Sequence, residues 1–267
     1  MPTEQDRMWV GSMPDAYDRF LAPVVFKPFA MDLAHRVASH RPRCVLELAA
    51  GTGVLTRELV AALPAAEVTA TDFNTAMVAY GKRQVPGALW QQADAQHLPF
   101  DDNQFDLLVC QFGVMFFPDK PGAFREARRV LRPAGRLMFS TWDTIDTHGY
   151  AAALAAGVEH AFPDNPPTFM AAVPHGYSDV GQIVADLTAG GLEHLSTESV
   201  TLDGQAGSAA DIALGFCTGT PLRVAIENRD DLAASTALIG ETMTTLLGEG
   251  PVTCEMTAYV FEAKPPA

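Results

Sequence analysis

Basic residues are scarce. Eighteen Lys and Arg stand against 32 Asp and Glu, a formal net charge of −14 over 267 residues. A surface of that sign repels phosphate backbones and anionic headgroups, so neither nucleic acid nor a membrane surface is an expected partner. Cysteine is scarce too: Cys44, Cys110, Cys217 and Cys254 stand apart, with no CxxC pair. Such thiols make neither a disulfide frame nor a zinc site, and they read as small buried residues in a reducing compartment. No metal is expected. No apolar run approaches the ~20 residues that span a bilayer, so no membrane insertion is expected. The opening residues MPTEQDRMWVGS lack the basic-then-apolar pattern of a secretory leader, which points to the cytoplasm. There is no internal repeat. What remains is a chain with 48% hydrophobic residues, long enough for one large domain or two small ones.

That chain is organised around residues 44–56, CVLELAAGTGVLT. A nearly unbroken apolar run suits a strand buried on both faces, as in a parallel sheet. It meets a turn of small residues, Ala49 to Gly53, and a helical pattern begins at Val54. The turn has almost no side-chain bulk, so a ligand can lie against its backbone. The first N–H groups of the following helix point into the same space. Strand, glycine turn and helix together form a ligand cradle at the carboxyl end of a strand.

A dinucleotide fingerprint would need G-x-G-x-x-G, but Ala49 and Val54 hold its first and third glycine positions. A P-loop would need a lysine that is absent. The stretch instead resembles motif I of the class I S-adenosylmethionine-dependent methyltransferases, (D/E)-x-G-x-G-x-G. Glu47, Gly51 and Gly53 fall on that pattern, and Ala49 replaces its first glycine. The resemblance implies a Rossmann-like α/β fold: a seven-stranded, mostly parallel sheet with an antiparallel last strand, helices on both faces and a helical cap insertion. It implies S-adenosyl-L-methionine as cofactor and a small-molecule acceptor. The whole resembles the ubiquinone/menaquinone methyltransferase group.

Further matches follow in order. EVTATD (67–72) reads as the second strand, and Asp72 closes it about 20 positions past the turn, where a carboxylate accepts from both hydroxyls of a ribose. The alternative, that Asp72 caps the helix from Thr75, is the less favoured reading given its position relative to 44–53. Asn74 and Met77 fall at family positions that flank the cofactor. ALWQQAD is the third strand. Asp94 and Ala95 end it, where family members hold the adenine amino group and ring. FDLLVCQF (105–112), apolar throughout, is a central strand. Gln111 sits at its end, where the family places a carbonyl near the cofactor's amino group. The arginine-bearing helix 121–133 is expected to end at Pro133 and to show its arginines to solvent. GRLMFSTW (135–142) is the fifth strand. LRPAGRL matches the family's post-core motif.

Ahead of the core, residues 13–40 carry aromatics at helical spacing, with Pro23 and Pro28 breaking them into two or three helices. Tyr17 is a candidate cofactor contact, with core packing the commoner reading. Beyond 142 the motifs stop. The expected organisation is one methyltransferase domain, 1–267: N-terminal helices (1–40), cofactor-binding core (41–142), acceptor-binding cap (143–190), and C-terminal strands and helices (191–267). EHLSTESVTL (193–202) and TCEMTAYVFEAK (253–264) are the late strands. A homodimer is an assembly this reading leaves open.

Methyl transfer from an activated sulfonium is an in-line displacement that needs positioning and exclusion of water more than a triad. A hydroxyl or acidic-carbon acceptor would add a base near the methyl. His148 and His175 are the candidates, each more often structural than catalytic. Two rivals share these residues. An NAD-linked oxidoreductase would also use Asp72. A non-catalytic S-adenosylmethionine-binding protein would keep the cradle alone.

Overall fold

A computed structural model of the chain describes residues 13–266; the reading of residues 1–12 as lacking a secretory leader pattern lies outside them. Seven strands form one sheet: β1 (Cys44–Glu47), β2 (Glu67–Asp72), β3 (Leu89–Gln92), β4 (Phe105–Gln111), β5 (Leu131–Trp142), β6 (Glu193–Ala206) and β7 (Val252–Lys264). Their order is β3-β2-β1-β4-β5-β7-β6. The first five run parallel, and β7 lies antiparallel to β5. This is the Rossmann-like sheet with a reversed final strand that the motifs imply. Strand order reverses between β1 and β4, and ligands of open α/β sheets bind beyond the carboxyl ends at such a switch point.

Helices link the strands: α1 (Met13–Ala16), a π-type helix Tyr17–Phe26, α2 (Lys27–Ser39), α3 (Val54–Ala62), α4 (Thr75–Gln84), α5 (Lys120–Val130), α6 (Gly149–Ala161), α7 (Phe169–Ala172), α8 (Val180–Ala189), α9 (Ala209–Gly219), α10 (Leu222–Glu227) and α11 (Leu232–Leu247). No helix among the described residues is long and apolar enough to cross a membrane.

The chain divides into two units. The sheet unit comprises 29–142, 177–200 and 258 onward; the helical unit comprises the described part of the N-terminus through Pro28, 143–176 and 201–257. Within the sheet unit the core is β1, β4 and β5, where Val45, Leu46, Leu108, Val109 and Phe139 have no exposure to solvent. Asp106 ties the start of β4 to that of β1, accepting from the Arg43 and Cys44 N–H groups at 2.9 Å each and pairing with Arg132. These donors hold its carboxyl below the usual range against the opposing effect of burial. In the helical unit α9 and α11 pack together and α11 also packs on α6. The buried Tyr150 hydroxyl, 2.8 Å from Gly204 O and 3.0 Å from Val252 O, fastens α6 to the far ends of β6 and β7.

Two proline readings differ from the structure. Pro23 does not break the N-terminal helix; the residues around it take the wider π-type turn, which gives the ring room from the preceding carbonyl. The fifth helix ends at Val130, not at Pro133, and Leu131 is already extended at φ −73°, ψ 137°. The residue before proline disfavours the helical region, so Arg132 and Leu131 join β5.

Candidate functional site

The site is built at the carboxyl ends of β1 to β4, all within the sheet unit. The turn after β1 holds three residues at positive φ: Ala49 (53°), Gly51 (55°) and Gly53 (89°). Two of them are glycines for different reasons. A methyl on Gly51 would meet nothing within 4 Å, so this backbone borders open space. One on Gly53 would press Val85 and the Trp90 ring at 3.1–3.2 Å, so this glycine lets α3 start against β3. Ala49 adopts the glycine-type conformation without being glycine, at a cost of about 1–2 kcal/mol.

Asp72 is wired into that turn. Its Oδ2 accepts from Gly51 N–H at 2.9 Å and its Oδ1 from Asn74 N–H at 2.8 Å. Each oxygen keeps a second lone pair. Asn74, not Asp72, caps α4, its Oδ1 accepting from the Ala76 and Met77 N–H groups at 2.8 and 3.2 Å. Met77 is buried in that first turn. Burial raises the Asp72 carboxyl above its ordinary range, and the two backbone donors work against the rise.

Glu47 ends β1. It is 2% exposed, and its Oε2 has no hydrogen-bond partner among the described residues. Burial pushes its carboxyl up to about 8; the Thr56 hydroxyl opposes this and Asp72 adds to it. Neither Glu47 nor Asp72 forms an ion pair with a Lys or Arg among the described residues. A buried and a half-buried carboxylate without a cation, beside an open glycine turn, are suited to a positively charged ligand.

At the end of β3, Asp94 Oδ1 accepts from the Gln96 backbone and side-chain amides at 2.9 and 3.1 Å. Its Oδ2 lies 3.7 Å from His97. Ala95 beside it is buried. Gln111 pairs with Ser140 of β5 at the end of β4. The structure therefore gathers Glu47, Ala49, Gly51, Gly53, Asp72, Asn74, Met77, Asp94, Ala95 and Gln111 along one edge of one sheet. Tyr17, His148 and His175 belong to the helical unit. The Tyr17 ring stacks on Phe26 at 4.8 Å. His148 caps α6, its Nδ1 accepting from Ala151 N–H at 3.2 Å, and burial together with the neighbouring His175 lowers it to about 3. His175 Nδ1 lies 2.8 Å from Asp143 O, and its ring meets that of His148 edge-on at 5.5 Å.

Sequence reasoning missed three features. Thr52 in the turn and Ser140 and Thr141 on β5 bury hydroxyls with no partner among the described residues, and nothing in their spacing marks them. The carboxylate link from Asp72 to Gly51 is likewise invisible to a motif. Arg129 is not a solvated face residue. It forks to Glu126, Asp102 and the Leu98 and Phe100 carbonyls, and so pins the loop after Asp94.

A model of the methyltransferase domain family matches residues 46–139, which contain this whole edge. The demethylmenaquinone methyltransferase of Corynebacterium urealyticum is 32% identical over 167 residues, 59% of this chain and 70% of that protein. The chain belongs to the class I S-adenosylmethionine-dependent methyltransferases. The ubiquinone/menaquinone biosynthesis C-methyltransferase UbiE of Saccharophagus degradans is 35% identical over 121 residues, 43% of this chain and 47% of that protein. The chain thus spans about half the length of several curated relatives it matches. Among solved structures, the YcgJ protein of Bacillus subtilis shares the fold at a TM-score of 0.57 and 18% identity, over 90% of this chain and 99% of that one. S-adenosylmethionine is the cofactor this family implies. The site fits it: the unpartnered Glu47 oxygen and the uncompensated Asp72 suit a cation with vicinal hydroxyls, and the space beside Gly51 leaves room for it.

Proposed function

We propose that this methyltransferase moves a methyl group from S-adenosylmethionine to a small-molecule acceptor. The observation that carries the reading is Asp72, whose Oδ2 fastens the glycine turn through Gly51 N–H and whose Oδ1 accepts from Asn74 N–H, each oxygen keeping a lone pair for a ribose. Asn74 and Met77 flank that sugar. Asp94 and Ala95 hold the adenine, and Glu47, Gly51 and the Gln111 carbonyl face the methionine portion. Gly53 and Ala49 shape the backbone between them.

When bound, the cofactor supplies a methyl on an activated sulfonium, so its leaving group needs no proton. This chain's residues then have to orient, exclude water and manage charge. Glu47 matches the cofactor's positive charge. Acceptor recognition is assigned to residues 143–190, of which 143–176 fold with the helical unit and 177–190 with the sheet unit. Should the acceptor lose a proton, His148 and His175 are the candidate bases, each with a structural contact of its own: His175 Nδ1 lies 2.8 Å from Asp143 O, and His148 Nδ1 accepts from the start of α6.

The test has two arms. Calorimetric titration with S-adenosylhomocysteine and with NAD should show binding of the first alone, and NAD binding would revive the oxidoreductase. Transfer of label from methyl-labelled cofactor into an acceptor from a small-molecule panel separates a transferase from a protein that only binds the cofactor.

A further inference from the structure

Two non-glycine residues in the left-handed region meet at the carboxyl edge of the sheet. Ala49 (φ 53°) follows β1, and Phe112 (φ 52°) follows the neighbouring β4. For a bulky residue such as Phe this conformation is a marked outlier, and outliers of this kind persist only where their surroundings enforce them. The enforcement is visible. The Phe112 ring stacks face to face on Trp142 at 3.7 Å and 7°. Phe29 closes edge-on against both rings, at 5.5 and 5.1 Å. The Phe112 N–H donates to Ser140 O at 3.1 Å. All three rings are buried.

The consequence falls on the next residue. Gly113 is brought so close to the first turn that a methyl on it would sit 2.5 Å from Ala49 Cβ and 2.7 Å from Cys110 Sγ. Phe112 therefore presses the β4 exit against the residue that opens the glycine turn. That turn presents Gly51 N–H to Asp72. A Phe112 free to relax would withdraw Gly113 and leave Ala49 without its abutment.

We propose that Phe112 is a positioning residue for cofactor binding: its clamped ring holds the β4 exit against Ala49 and so presets the turn that receives the cofactor. The inference rests on the cofactor reading above. Misplacement of a binding element by an ångström or less is enough to weaken a preorganised site strongly.

The experiment is calorimetric titration of S-adenosylhomocysteine into the full chain, alongside thermal melts. It compares Phe112→Gly, which tolerates the left-handed backbone but has no ring, Trp142→Leu, which removes the stacking surface, and Phe112→Tyr, which keeps the ring. Binding is read well below each melting point, on protein shown folded by circular dichroism. The expected result is about a tenfold or greater rise in Kd for Phe112→Gly and Trp142→Leu, with Phe112→Tyr within about twofold of the starting protein. A ring that serves only the core would lower melting points and leave Kd unchanged, and that result overturns the proposal. Should Phe112→Gly fail to fold, Trp142→Leu decides alone. Wild-type protein that takes up no S-adenosylhomocysteine would strike the cofactor reading and this proposal with it; wild-type binding matched by the ring-less variants strikes this proposal only.

Discussion

A buried carboxylate without a partner sets the electrostatics of the cradle. In the fold burial lets Glu47 keep its proton up to about pH 8, well above the ordinary carboxyl range near 4.5. Between those values the folded chain therefore holds more protons than the unfolded chain, so the stability of the empty protein falls as pH rises through roughly 5 to 8, and then levels off. The drop is on the order of 5 kcal/mol. Denaturant midpoints at pH 5.5, 7 and 8.5 should show this decline, and Glu47→Gln should flatten most of it; the Asp72 shift, which has the same sign, leaves a residual slope. A midpoint that rises with pH in both proteins would refute the assignment. A cation beside Glu47 favours its charged form, so cofactor uptake at pH 7 should release protons. Titrations in buffers of different ionisation enthalpy read that release, and it should vanish in Glu47→Gln. At the neighbouring contact, Gly113→Ala should cost about 1–3 kcal/mol by overpacking against Ala49 and Cys110. Adding Ala49→Gly should recover part of it, as a double-mutant cycle in urea would show.

At the scale of elements, the parts that were legible in the sequence share one cause. β1 and β4 are largely apolar runs between turn residues, as strands buried on two faces should be, and β2 is a short β-branched stretch closed by Asp72. Glu47, Gly51 and Gly53 could be placed because they fall on the family's first motif, and Asp72 because a carboxylate closing the next strand, 19 residues after the turn's last glycine, is where that resemblance puts the ribose. What was hidden needed contacts between distant segments. Arg129 looks like one arginine among several on α5, and only the fold brings the Leu98 and Phe100 carbonyls to it. Arg129→Lys, which cannot fork, should loosen the 98–102 loop and lower the melting point by a few degrees, about 1–2 kcal/mol. It should also weaken S-adenosylhomocysteine binding, because that loop follows Asp94. An unchanged melting point would return Arg129 to the solvated face. Pro23 was misjudged because a widened turn can absorb a proline that a regular helix cannot.

At the scale of the molecule, the sheet unit carries every motif and the helical unit carries none. Its helices are held by interactions such as Tyr150 to Gly204 and Val252, 54 and 102 residues away, which no local pattern announces. Tyr150→Phe should cost about 1–2 kcal/mol by removing the one hydroxyl proton that the Gly204 and Val252 carbonyls share, measured as a shift in the urea midpoint. The histidines of this unit follow the same logic: His148 is a candidate base by residue type alone, and the fold makes its Nδ1 a helix cap. Methyltransferase membership is thus written in about a hundred residues. The central claim is that a sulfonium nucleoside is held by the carboxylate that also ties the glycine turn. Calorimetry of S-adenosylhomocysteine against the wild-type chain and Asp72→Asn tests it most directly. The account predicts saturable wild-type binding at one site per chain and at least about tenfold weaker binding when one carboxylate oxygen becomes an amide. Equal affinity in the two proteins would contradict it.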